Sequence, residues 1–148
     1  MGKLLLCILL ITSVATAATP SAPKIENFQL TGDRWTCTAD GQPLNGILLK
    51  PNGSGPFPAV ILSHGLGGNA QTMMAIKGRE MVKWGFVCIA TDYTHAGRGG
   101  GRGDVAGVDF SKAGASPENI HTALAWLEIL RMQKDVKPDC IAAYGHRM

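Results

Sequence analysis

Three short runs in this chain are apolar almost without interruption: Pro58-Ala59-Val60-Ile61-Leu62, Phe86-Val87-Cys88-Ile89-Ala90 and Asp139-Cys140-Ile141-Ala142-Ala143-Tyr144. A strand with one wet face alternates apolar and polar residues, so an unbroken run demands cover on both faces. The segments between the runs can supply that cover. Residues 71–84 carry Met74, Gly78, Met81 and Val82 at helical spacing, and Gly85 stops the pattern. Ser116-Pro117-Glu118 combines an N-cap, a proline at the first helical position and an acid in the first turn. It predicts a helix to about residue 134 with Ile120, Ala123, Leu124, Leu127 and Leu130 on its apolar face. Strand, helix, strand, helix, strand is the order of a parallel sheet with crossover helices.

Upstream, residues 34–38 and 46–50 read as two strands joined across Asp40-Gly41, a hairpin turn signal. The expected fold is therefore α/β: a mostly parallel sheet with an antiparallel N-terminal hairpin and helices on both faces. Cys88 and Cys140 fall inside apolar runs and are expected as buried free thiols, while Cys37 has no identifiable partner. Lys3, the apolar residues 4–11 and the small residues Ala15-Thr16-Ala17 have the form of a secretory signal, with cleavage expected after Ala17. The run is too short to span about 30 Å of hydrocarbon, so no stable membrane anchor is expected. Residues 18–148 would then form one exported domain, periplasmic or extracellular. Without Lys3 its formal charge is 13 − 11 = +2, too small to point to a nucleic acid or a membrane surface.

Two motifs follow the first and third apolar runs. The first is Ser63-His64-Gly65-Leu66-Gly67-Gly68, and the second is Tyr144-Gly145-His146-Arg147-Met148. The second reads as a G-x-S-x-G nucleophile elbow in which Arg147 stands where the attacking serine belongs and the closing glycine is not reached. Together they resemble the N-terminal half of the α/β-hydrolase family, in particular its dienelactone-hydrolase-like and prolyl-oligopeptidase-like serine hydrolases. The resemblance implies a small-molecule ester or amide substrate cleaved through an acyl-enzyme, without a cofactor or metal. It also implies that the backbone amides of Leu66 and Met148 form the oxyanion hole, and that His64, Gly65, Gly145 and His146 shape the loop and the elbow. A guanidinium stays protonated and cannot attack a carbonyl. The family's acid and histidine come later in the chain than the nucleophile, whereas Asp92, Asp104, Asp109, His95 and His121 all precede it. A truncated, inactive hydrolase is the expectation, with its histidines outside the motifs read as polar surface residues. The glycine-rich stretch around Arg98 and Arg102 reads as a solvated loop.

Two other readings stay open. Gly65-x-Gly67-x-x-Ala70, after a strand and opening a helix, with Asp92 at the end of the next strand, also fits a dinucleotide-binding fingerprint. A secreted, non-catalytic binding domain could likewise keep the hydrolase scaffold. In that scaffold the strand over residues 139–144 is central, and leaving it without further neighbours would expose apolar sheet surface and an open edge.

Overall fold

A computed structural model describes residues 20–97 and 105–145. Residues 1–17, Arg98, Arg102, Asp104, His146, Arg147 and Met148 lie outside the described residues. Among those described, six strands form one mixed sheet in the order β1-β2-β3-β5-β4-β6. They are β1 (Ile25–Thr31), β2 (Arg34–Ala39), β3 (Gln42–Leu49), β4 (Phe57–Ser63), β5 (Val87–Ala90) and β6 (Val136–Gly145). The pairs β4/β5 and β4/β6 are parallel. The N-terminal pairs β1/β2 and β2/β3 are antiparallel, as is β3/β5 where they join the parallel part. No helix among the described residues is long and apolar enough to cross a membrane.

Asp40 and Gly41 turn the β2/β3 hairpin with φ of 48° and 77°, the left-handed pair that a type I′ turn requires. Strand β1 was not expected. Its sequence is largely polar and its side chains mostly exposed, with only Ile25 and Phe28 half-buried. It is held by pairing to β2 and by Phe28 lying over Trp35 at 6.5 Å between ring centroids.

The alternation of β4 and β5 decides which helix covers which face. Ala59, Ile61, Val87 and Ile89 pack with Trp126, Ile129 and Leu130 of α3 (Pro117–Arg131). Val60, Leu62, Cys88 and Ala90 pack with Ala70, Met73 and Met74 on the opposite face. That second layer is α1 (Ala70–Met73), a π-helical turn over Met74–Gly78, and α2 (Arg79–Lys83). The expected single helix over residues 71–84 is thus widened in its middle. At Gly78 any Cβ would run into the Met74 thioether and come within 3.3 Å of Leu62 Cδ1.

Three expectations need correction. The buried face of α3 is Asn119, Thr122, Ala125, Trp126, Ile129 and Leu130, whereas Ile120 is 38% exposed. The face is displaced by about one residue because Asn119 must point inward, where it binds a loop. Strand β6, expected to be buried, is largely exposed at the open sheet edge, where β4 is its one partner among the described residues. Cys140 is accordingly exposed, not buried, while Cys37 and Cys88 are buried free thiols.

Gly46 is the tightest point of the sheet. It faces Trp35 across the β2/β3 pair, and an added Cβ would overlap the Ala90 carbonyl oxygen and lie 2.7 Å from Trp35 Cζ2. Gly46→Ala is expected to destabilise the domain by about 2–3 kcal/mol or more through overpacking. Gly41→Ala, with open space around it, should cost only about 1 kcal/mol of backbone strain. Urea denaturation of both variants checks the order.

Candidate active site

The carboxyl ends of β4, β5 and β6 share one crest of the sheet, the place where open α/β sheets bind ligands. Strand β4 ends at Ser63 and runs into the turn His64-Gly65-Leu66-Gly67-Gly68; β5 runs into Thr91-Asp92-Tyr93-Thr94-His95. Gly145, the last residue of β6, pairs with Ser63. His64, Gly65, Leu66 and Gly145 are therefore gathered at one end of the sheet.

The two turns are clamped by their backbones. Tyr93 N–H donates to His64 Nε2 at 3.0 Å, and His64 Nδ1 lies 2.9 Å from the Gly65 carbonyl. One ring nitrogen must accept and the other donate, so the partners fix the neutral tautomer with its proton on Nδ1. Burial lowers the His64 pKa further from its ordinary value. Gly67 N–H donates to the His95 carbonyl at 3.2 Å, Gly97 N–H to the Gly68 carbonyl at 2.9 Å, and Gly68 N–H to the Gly65 carbonyl at 2.9 Å. Gly67 holds φ at 68°, a conformation that suits glycine. Among the described residues the Leu66 N–H makes no hydrogen bond.

Beside this turn is a cluster that the sequence did not reveal. Ser63 Oγ and Tyr93 Oη are 2.9 Å apart. His95, expected at the surface, is only 2% exposed. It stacks on Tyr93 at 5.4 Å and sets its edge to His64 at 5.1 Å. Asn119 of α3 holds the loop that carries it. Asn119 Oδ1 accepts from Thr94 N–H at 3.1 Å, and Nδ2 donates to the carbonyls of Gly114 and Lys112 at 2.9 and 3.0 Å. That amide nitrogen also lies 3.4 Å from His95 Nδ1. Burial lowers the His95 pKa, opposed weakly by the His64 backbone carbonyl. Among the described residues His95 Nε2 completes no hydrogen bond. Ser63, Tyr93, His95, Asn119, Ile120 and Ala123 line a cleft of about 290 Å³ here. The available signal was Asn119 at the third position of a helix capped by Ser116, an inward polar residue that periodicity alone assigns to the wet face.

The remaining candidates are engaged elsewhere. Asp92 Oδ1 accepts from Ala70 N–H at 2.7 Å, so the carboxylate occupies the helix start at which a dinucleotide pyrophosphate would have to sit. The fingerprint spacing is satisfied by a helix cap, and a second anion there would meet like charge. Asp109 caps the 3₁₀ turn at Ser111 N–H, 3.0 Å away. His121 pairs with Asp40 at 3.2 Å on the surface. Among the described residues no imidazole bonds to Ser63, and no three His, Cys, Asp or Glu side chains converge as a metal site would need.

Neither a protein-family model nor a curated protein matches the sequence. Solved structures do match in fold. A protein assigned as an acetyl xylan esterase from Bacteroides fragilis superposes over 87% of this chain with a TM-score of 0.61 and 16% identity. A 2,6-dihydroxy-pseudo-oxynicotine hydrolase superposes over 76% with a TM-score of 0.56 and 21% identity. The chain carries part of an α/β-hydrolase fold. It spans 43% and 29% of the lengths of those two proteins.

Two imidazoles whose folded pKa lies below the unfolded one give a definite pH signature. Above the unfolded value of about 6.5 both states are neutral. As pH falls below it, the unfolded chain takes up protons that the fold refuses, so stability declines. The urea midpoint should fall from pH 7 to pH 5, and His95→Gln should have a shallower decline. An equal slope in the variant would show that His95 is not held neutral.

Proposed function

We propose that the chain is part of an exported serine hydrolase of the α/β-hydrolase type, built for ester or amide bonds and left inactive by Arg147 at the nucleophile position. The supporting observation is the Ser63–Gly145 pairing. It brings Gly145, the last described residue of the elbow motif, beside a turn whose Leu66 N–H makes no hydrogen bond among the described residues, as an oxyanion hole requires. The esterase and hydrolase folds that superpose on this chain agree with this reading.

Inactivity follows from the chemistry of the residues. Arg147 offers no nucleophile. Neither described imidazole at the crest is set up as a general base for one: His64 has both nitrogens bonded, and His95 is buried with its Nδ1 facing an amide nitrogen. Loss of an activated serine lowers turnover by about a millionfold in enzymes of this chemistry. The full chain should therefore hydrolyse p-nitrophenyl acetate no faster than buffer and take up no fluorophosphonate label. Arg147→Ser alone should leave both results unchanged, since a serine without a base stays a weak nucleophile. Saturable hydrolysis by the unaltered chain would mean that another nucleophile operates and would overturn the reading.

Export rests on the apolar leader and its small-residue ending. Expressed with residues 1–148 in a bacterial host, the periplasmic product should begin at Ala18 by N-terminal sequencing. A product that stays in the cytoplasm with residues 1–17 intact would contradict it.

A further inference from the structure

A second cleft lies where the His64–Gly68 turn enters α1, and its character is opposite. The first is walled mainly by Ile120, Ala123, Ala115 and the aromatic rings. The second, of about 320 Å³, is lined by Arg34 at the start of β2, Asn45 in β3, Asn69 and Gln71 at the start of α1, and Thr91 and Asp92 after β5. Most of these side chains keep hydrogen-bonding groups unused among the described residues. Asn69 uses Oδ1 to cap Thr72 N–H at 2.8 Å, and its Nδ2 makes no bond. Asp92 uses Oδ1 on Ala70 N–H, and Oδ2 makes none. The side-chain amides of Asn45 and Gln71 make no hydrogen bond among the described residues. Arg34 has only a loose approach of its Nε to Asp33 at 4.0 Å. Thr91 is the exception, its hydroxyl being held by the Asn45 carbonyl.

We propose that this cleft binds a neutral polyhydroxylated ligand of the size of one pyranose ring. Amide side chains each offer a donor and an acceptor, which is what a run of vicinal hydroxyls presents in return. Arg34 adds donors and Asp92 Oδ2 adds an acceptor, and the two opposite charges cancel, so the cleft favours neither anions nor cations. A phosphorylated or carboxylated ligand gains no net attraction from this pair and still loses hydration of its own charge on entering the cleft. The volume is at the small end for ligand pockets, which limits the buried portion to a single ring and leaves any longer saccharide outside. The open, polar walls predict weak binding, because little apolar surface is removed from water. Binding here needs no nucleophile and is independent of any hydrolytic activity at the first cleft.

The test is saturation-transfer NMR on the full chain with methyl glucopyranoside, methyl xylopyranoside and glucose 6-phosphate as probes. Transfer to the two neutral pyranosides is expected at millimolar ligand, with the phosphate sugar weaker. Asn45→Ala with Gln71→Ala should weaken the pyranoside signal by about tenfold. Both side chains are exposed and make no hydrogen bond among the described residues, so the thermal midpoint should stay where it is. Arg34→Ala provides a second variant from another strand and should also weaken binding. No transfer from either neutral probe, stronger transfer from the phosphate sugar, or signals unchanged in both variants would each overturn the assignment.

Discussion

A neutral imidazole holds the working end of this molecule together. His64 accepts the Tyr93 N–H on one nitrogen and donates to the Gly65 carbonyl with the other, and in doing so joins the turn after β4 to the turn after β5. A protonated ring could not accept, and Tyr93 N–H would lose its partner in a buried place, a loss of about 1–3 kcal/mol. The backbone bonds from Gly67 to His95 and from Gly97 to Gly68 then complete the clamp. With its neighbours fixed in this way, Leu66 N–H makes no hydrogen bond among the described residues and needs no special side chain.

The sheet beneath supplies rigidity. Ala59, Leu62, Val87, Cys88, Ile89 and Ala90 are fully buried, so the strands that carry both turns cannot slip register without exposing a whole face. Trp35 and Gly46 extend that constraint to the antiparallel side, where an indole fills the space that a side chain on β3 would otherwise take. Strand β6 is the looser member. It meets β4 alone, breaks register between Phe57 and Ala59, and keeps most of its side chains at least partly exposed.

Much of this was legible in the residues, for identifiable reasons. Unbroken apolar runs marked β4 and β5 because burial on both faces leaves a compositional trace. Asp40-Gly41 marked the first hairpin because few residue pairs tolerate two left-handed conformations in succession. The Ser116-Pro117 start of α3 was visible from capping chemistry, with Ser116 Oγ accepting from Asn119 N–H at 3.3 Å. Strand β1 was hidden, because an edge strand held by backbone pairing has no need of apolar side chains. The offset of α3 and the burial of His95 were hidden together, since both follow from Asn119 turning inward to satisfy loop carbonyls at the crest. A tertiary hydrogen bond of that kind leaves no period in the sequence. Cys140 was misplaced for a related reason: apolar composition states what a strand could bury, and only the neighbours present decide whether it does.

The ambiguity between a hydrolase turn and a nucleotide-binding turn shows why spacing alone is a weak guide at such a site. Both need glycines where a strand enters a helix, and both tolerate a carboxylate at the end of the next strand. What separates them is the partner of that carboxylate. A dinucleotide site leaves the helix N–H groups for phosphate and directs the acid to a ribose. Here Asp92 takes the Ala70 N–H itself at 2.7 Å, and Asn69 takes that of Thr72. The helix start is thereby neutralised from within the chain, and the glycine turn no longer attracts an anion. It instead becomes a stiff connection that begins at His64 in the apolar cleft and ends at Asn69 in the polar one, fixed by hydrogen bonds that involve main-chain atoms and one imidazole.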